Sequence, residues 1–251
     1  MPEGRTYHIL NQDSDFFIRE AYNSLRTNLF FSFPEKEGCK VLAITSTMQK
    51  EGKTTTSINT TIAIAESGKK VLLIDCDLRK PKLGSITKVN GKTGLSNVLI
   101  DSSLLASSIH RYSENIDVLT AGSIPPNPSE LLGSERMKTL IDVLRERYDY
   151  IILDTPPVDM VTDAMVLAPV YDGDLLVIRM SYTLKPALTT AIEQLTYSGA
   201  KIIGTVLNSV DRDQSTYYSS RYRYGSYRYA KARYGGGSCG QKKDKDSGGN
   251  D

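Results

Sequence analysis

KVLAITSTMQKEGKTTTSINTTIAIAESG, residues 40–68, decides the fold. Lys40–Thr45 is a short apolar run of strand length. Thr54–Ser67 reads as a helix, and Gly68 closes it. Between them, TMQKEGKT (Thr47–Thr54) has the spacing of a phosphate loop, with one departure: Thr47 stands where the pattern prefers glycine. In such a loop the backbone N–H groups and the helix N-terminus face phosphate oxygens. The nucleotide contacts are then Thr47, Met48, Gln49, Lys50, Glu51, Gly52, Lys53, Thr54 and Thr55. Lys53 places its ammonium on the β- and γ-phosphates, and the Thr54 hydroxyl ligates magnesium. Gly-Lys-Thr alone also occurs in ordinary strand–helix turns, so the flanking elements carry the reading.

Working outward, KVLLID (Lys70–Asp75) is a second buried strand, Ile116–Thr120 a third and Tyr150–Leu153 a fourth. SELLGSERMKTLIDVLRERY predicts one long helix capped by Ser129. Asp174–Met180 and Lys201–Leu207 are two more strands, separated by a helix that Pro186 can start. Upstream, Asp15 is a candidate N-cap for a helix to about Phe33, with Phe17, Ala21, Leu25 and Leu29 as its apolar stripe; Pro34 and Gly38 end it. Short apolar strands alternating with helices predict an α/β fold of the P-loop nucleoside-triphosphatase class. Its sheet is mostly parallel, with helices on both faces. The chain divides into an N-terminal segment and helix (1–36), the phosphate-loop domain (37–212) and a flexible tail (213–251).

Such sheets bind ligands at the carboxyl ends of their strands. Three acids fall there: Asp75 and Asp77 in VLLIDCDLRKP, and Asp154 in YDYIILDTPP. Magnesium takes oxygen ligands, so Thr54, Asp75, Asp77 and Asp154 form the candidate metal set. A carboxylate beside the γ-phosphate can also orient or deprotonate an attacking hydroxyl. A single strand-end Asp is more simply a turn or cap residue; three in register with a phosphate loop are not.

The tail has a different chemistry. Tyr217, Tyr218, Tyr222, Tyr224, Tyr227, Tyr229 and Tyr234 are seven of the 15 tyrosines, and five Lys or Arg residues are interleaved with no acid. Without aliphatic residues this stretch cannot bury enough apolar surface to offset its ordering entropy. Its phenols therefore read as phosphoacceptors. A flexible chain spans at most about 3.3–3.6 Å per residue, which takes Tyr217 roughly 30 Å and Tyr234 roughly 90 Å from Asn208.

Bulk properties bound the rest. Hydrophobic residues make up 39% and charged residues 24%, ordinary for a globular protein. A net charge of +2 makes no global case for nucleic acid. No apolar run approaches the ~18 residues of a membrane span, and no stretch of signal-peptide type opens the sequence. Cys39, Cys76 and Cys239 are too few and too dispersed for a disulfide framework or a metal site. The expected compartment is the cytoplasm.

The phosphate loop, IDCDLRKP, ILDTPP and the tyrosine cluster together resemble the bacterial tyrosine kinases of the capsular and exopolysaccharide type, specifically the separate cytoplasmic kinase subunit of Gram-positive bacteria. The resemblance covers nearly the whole chain. It implies an ATP–magnesium site of Lys53, Thr54 and Asp154, with Asp75 and Asp77 assisting the metal and the incoming tyrosine. Asn208 matches the position where related ATPases touch adenine. A Glu-x-x-Arg-x-x-Arg pattern joins subunits of this family into rings. Here the matching run is Glu20, Asn23, Arg26, so Glu20 and Arg26 remain and one arginine is replaced. Ring assembly and a merely solvated helix face both remain open.

The resemblance also implies a transmembrane polysaccharide co-polymerase or adaptor that activates the kinase and recruits it to the membrane's inner face, and a cognate protein-tyrosine phosphatase. Partition and septum-positioning ATPases share the fold but carry a signature lysine at the loop's second position, here Met48. A plain ATPase of that type is the principal rival. Arg–Tyr segments can also stack on single-stranded nucleic acid, but that reading leaves the acidic motifs incidental, and no nucleic-acid partner is expected.

Overall fold

A computed structural model describes residues 7–33, 38–89 and 91–210. The seven tail tyrosines, Tyr217 to Tyr234, lie outside the described residues, as do Pro34 and Cys239. The chain divides into two units, Met1–Ser209 and Val210–Asp251, and the fold below is that of the first.

Seven strands form one sheet: β1 (Lys40–Ser46), β2 (Val71–Asp75), β3 (Ile109–Ser113), β4 (Ile116–Leu119), β5 (Tyr150–Asp154), β6 (Gly173–Arg179) and β7 (Ile202–Asn208). Their order is β3-β4-β2-β5-β1-β6-β7. Every pairing is parallel except β3 with β4. The sequence reading has no counterpart for β3. IHRYS is polar and only part-buried, as an edge strand is, and its short turn back into β4 carries no glycine or proline to mark it.

The helices are α1 (Phe16–Ser32), α2 (Lys53–Ala65), α3 (Leu83–Thr87), α4 (Leu95–Ile100), α5 (Leu105–Ser108), α6 (Pro128–Leu132), α7 (Glu135–Arg145), α8 (Asp163–Val166) and α9 (Lys185–Tyr197). Strand residues alternate between two cores. Val41, Ala43, Leu72, Ile74, Ile151 and Leu153 pack with Leu95, Met137, Ile141 and Leu144 on one face. Leu42, Ile44, Leu73, Ile152, Leu175 and Val177 pack with Leu29, Ile58 and Ile64 on the other. Helices thus cover both faces, and the sheet's polar ends are left to bind. None of the described helices is long and apolar enough to cross a membrane.

Two expectations are corrected. The long helix capped by Ser129 is two helices: α6 has Asn127 as its N-cap, with Ser129 inside it, and stops at Leu132, and α7 starts afresh with Ser134 as its N-cap, accepting from the Met137 N–H at 3.4 Å. A capping serine inside the run, directly after Gly133, is the signal that the longer reading overlooks. In α1 the Asp15 cap holds, accepting from the Phe17 N–H at 2.8 Å. The stripe does not: Phe17 and Ala21 are exposed, Leu25 is half-buried and only Leu29 is buried. The inward face runs instead through Tyr22, Leu25, Arg26 and Leu29, with Leu25 and Leu29 in the core and Arg26 against α2.

Candidate functional site

The phosphate loop leaves β1 at its carboxyl end, where the strand lies between β5 and β6. Its backbone explains the one departure from the motif. The left-handed positions are Lys50 (φ 68°) and Gly52 (φ 98°), and Thr47 is not among them. A side chain at Thr47 therefore costs no backbone strain, whereas Gly52 is required. A Cβ at Gly52 would also stand 2.0 Å from Asn208 Nδ2. Gly52 caps α2, whose first residues are Lys53, Thr54 and Thr55.

One wall of the loop is acidic. Asp75 and Asp154 are register partners on β2 and β5. Lys53 Nζ lies 3.2 Å from Asp77 Oδ2 and 3.8 Å from Asp154 Oδ1. Ser57, one turn along α2 from Lys53, donates to Asp154 Oδ1 at 3.0 Å. Asp75 is fully buried, and both its oxygens are engaged: Oδ1 accepts from the Asp77 N–H at 3.1 Å and Oδ2 from the Leu83 N–H at 3.0 Å. Asp75 thus shapes the turn that carries Asp77. Burial, then the neighbouring Asp154 charge, pushes Asp75 up to about 7. Burial also raises Asp154, against the pull of Lys53. Burial opposes the Lys53 charge, but Asp154, Asp77 and Asp75 outweigh it and its pKa is raised.

The opposite wall is a polar strut. Glu51 is buried, accepting from the Met48 N–H at 2.8 Å and from the Thr183 hydroxyl. Burial raises its pKa. Asn208 Nδ2 donates to the Glu51 carbonyl at 2.8 Å, and its Oδ1 accepts from the Ser209 N–H. The residue expected at adenine is thus placed against the loop backbone. Arg179 donates to the Lys50 carbonyl at 3.2 Å, bracing the left-handed turn.

A cavity of about 480 Å³ opens over the loop. Gln49, Lys50, Gly52, Lys53, Thr54, Thr55 and Asp77 line it, with Arg79, Arg179 and Tyr7 among the other wall residues. Asp75, Asp154 and Asn208 lie behind that surface. Arg79 holds the turn after Asp77 in place: Nε and Nη2 reach the two oxygens of buried Asp163 at 2.9 and 3.1 Å, and Ser129 donates to the same carboxylate at 2.5 Å. Sequence reasoning missed Ser57, Arg79, Asp163 and Thr183. Ser57 was within reach, four residues after Lys53 on one helix face; Asp163 and Thr183 carry no local signal.

The donor set fits magnesium in one specific way. Among the described residues no three acidic, His or Cys side chains converge on a metal by themselves. Magnesium instead uses one or two carboxylates with phosphate oxygens and water. Three carboxylates, Asp75, Asp77 and Asp154, act on the one Lys53 charge, so the site holds more acidic than basic groups. The remaining predicted residues lie on α1. Glu20 is exposed, while Arg26 donates to the Ala63 carbonyl of α2 at 2.9 Å.

Residues 39–196 match the AAA domain family. The chain is 41% identical over 190 residues to the tyrosine-protein kinase YwqD of Bacillus subtilis, covering 75% of this chain and 80% of that one. The kinase domain of the Escherichia coli tyrosine kinase ETK superposes with a TM-score of 0.74 at 33% identity, covering 84% of this chain and 86% of that one. The septum site-determining protein MinD of Pyrococcus horikoshii, complexed with Mg-ADP, matches less well: TM-score 0.59 at 25% identity, covering 69% and 72%. The fold is thus that of the P-loop nucleotide-binding proteins, and the chain belongs to the bacterial tyrosine-protein kinases.

Proposed function

We propose that this kinase transfers the γ-phosphoryl group of ATP, with magnesium, mainly to the tyrosines of its own tail, Tyr217 to Tyr234, on a neighbouring copy. The observation that carries the reading is the seat of Lys53. Its ammonium bridges Asp77 and Asp154 at the floor of a cavity over a helix N-terminus. There Lys53 would hold the β- and γ-phosphates. Thr54, Asp77 and Asp154 would hold magnesium, which supplies charge neutralisation at the phosphate oxygens. Asp77, on the cavity surface, would orient the acceptor phenol and take its proton. Asp75 would fix the Asp77 turn from behind.

The same reading extends to assembly. A membrane adaptor would activate the kinase and bring it to the inner face of the membrane in capsular or exopolysaccharide synthesis. Exposed Glu20 would contribute to a ring, joined by Arg26 only where its guanidinium leaves the Ala63 carbonyl, and a protein-tyrosine phosphatase would reset the tail. Each phosphotyrosine adds about −1.5 to −2 charges, so three offset the tail's five basic residues and further ones would drive tails apart. A plain ATPase is disfavoured by Met48 at the signature-lysine position and by the weaker MinD match.

Intact mass after incubation with ATP and magnesium tests this, with and without the cytoplasmic peptide of a candidate adaptor. Wild type should gain phosphates mapping to Tyr217–Tyr234, and Lys53→Met should gain none. ATP hydrolysis with no mass change would favour the ATPase.

A further inference from the structure

Among the described residues, the N-terminal segment is clamped to α2 through the Asn59 side chain. Asn59 is buried; its Oδ1 accepts from the Leu10 N–H at 2.9 Å and its Nδ2 donates to the His8 carbonyl at 3.0 Å. Leu10 is buried, and Ile9 packs against the core on that face of the sheet. Asn59 lies four residues after Thr55, so the two share one face of α2. The strap therefore crosses α2 one turn from the phosphate loop, and the residue before the clamp, Tyr7, joins the cavity wall with Lys53, Thr55 and Asp77.

The seven tail tyrosines leave eight of the chain's 15. All eight are described, and Tyr7 alone of them lines the cavity. Tyr148, Tyr150 and Tyr171 are buried, while Tyr197 is 95% exposed and has no part in the site. The same cavity wall also carries Lys50, Lys80 and Lys82, with Arg79 and Arg179 already engaged by Asp163 and the Lys50 carbonyl, a basic setting that favours an added phosphate.

We propose that Tyr7 is a second phosphoacceptor of this chain, modified by the kinase site of the same molecule. The inference rests on the tyrosine-kinase reading above. The Tyr7 phenolic oxygen bonds to the γ-phosphorus of ATP. The bond from that phosphorus to the β–γ bridging oxygen breaks, ADP departs with the electron pair, and the phenolic proton passes to the Asp77 carboxylate.

The test uses the full chain with all seven tail tyrosines changed to phenylalanine, incubated with ATP and magnesium and mapped by peptide mass. One phosphate is expected, on the peptide containing Tyr7, and none in Tyr7→Phe or Lys53→Met. Its rate per molecule should hold across about a hundredfold dilution, because the acceptor is tethered to its own site. Asn59→Ala should slow Tyr7 labelling by at least about tenfold while an added tail peptide is still labelled; Leu10→Ala, loosening the strap without touching α2, should act in the same direction. Phosphate on exposed Tyr197 instead, or none on Tyr7 while the added tail peptide is labelled, would overturn the inference and leave the kinase reading standing. No label on either, with the cytoplasmic peptide of a candidate adaptor also present, would overturn both.

Discussion

The two walls of the phosphate loop differ in what they spend their polar groups on. On the acidic wall, Lys53, Asp77 and Asp154 face one another, and Lys53 and Asp77 reach the cavity. On the strut wall, Glu51, Thr183 and Asn208 satisfy one another and the loop backbone. One wall supplies chemistry and the other supplies shape. The same contrast recurs two residues apart on the acidic side, where Asp75 is tied to backbone N–H groups and Asp77 is presented.

The largest expected effect joins both walls. Gly52→Ala would force a left-handed φ on an L-residue and drive its Cβ into Asn208. Nucleotide binding by calorimetry should be lost. Retained binding would mean that the loop's shape is not what the cavity depends on. Next, Asp77→Ala should slow phosphoryl transfer by about 10²–10⁴, the range for losing a positioned acid–base group, while nucleotide affinity falls much less. Equal loss of transfer and affinity would reduce Asp77 to a metal-site residue and erase the distinction between Asp75 and Asp77.

A smaller effect is expected from the strut. Thr183→Val removes a donor from buried Glu51 and leaves its carboxylate under-satisfied, at about 1–3 kcal/mol. Melting temperature and nucleotide affinity should both drop, with the transfer rate at saturating ATP near that of wild type. A selective fall in that rate would place the strut in the chemistry.

The acidic wall was legible in the sequence and the strut was not, for a physical reason. Lys53, Asp75 and Asp154 sit at ends of apolar strands or at a helix start, where short-range periodicity delivers them to one edge. Asn208 meets Glu51 across 157 residues and Thr183 meets it across 132, contacts set by β6 and β7 lying beyond β1 in the sheet. Helix α1 shows the same limit. Its cap was readable from Asp15, yet which face turns inward depended on where α2 lay, and Phe17 ended up exposed. The edge strand β3 escaped because nothing in its own composition demanded a partner.

The smallest effect separates buried charge at the site from buried charge elsewhere. Burial pushes Asp174, on β6, up to about 7, with the Tyr171 hydroxyl donating to its Oδ2 at 3.2 Å and Oδ1 without a hydrogen-bond partner among the described residues. Asp75 is pushed to the same value by burial and by its neighbour Asp154. In both cases the folded state holds the proton more tightly than the unfolded chain, whose carboxyl titrates near 3.9. The folded state therefore binds more protons between about pH 4 and pH 7, and stability falls as pH rises through that window and levels off above it. Wild type without nucleotide should gain stability between pH 7.5 and pH 5.5 through these two groups. Asp174→Asn, which keeps an acceptor for Tyr171, should remove part of that gain, worth at least about 2 °C in melting temperature. Asp75→Asn should also remove part, but should in addition disturb nucleotide binding, because its oxygens hold the Asp77 turn. Wild-type pH dependence in Asp174→Asn would show that its carboxyl is ionised in the fold, with water reaching Oδ1. Unaltered nucleotide binding in Asp75→Asn would show that the turn keeps its shape without that charge, leaving the acidic wall to Lys53, Asp77 and Asp154.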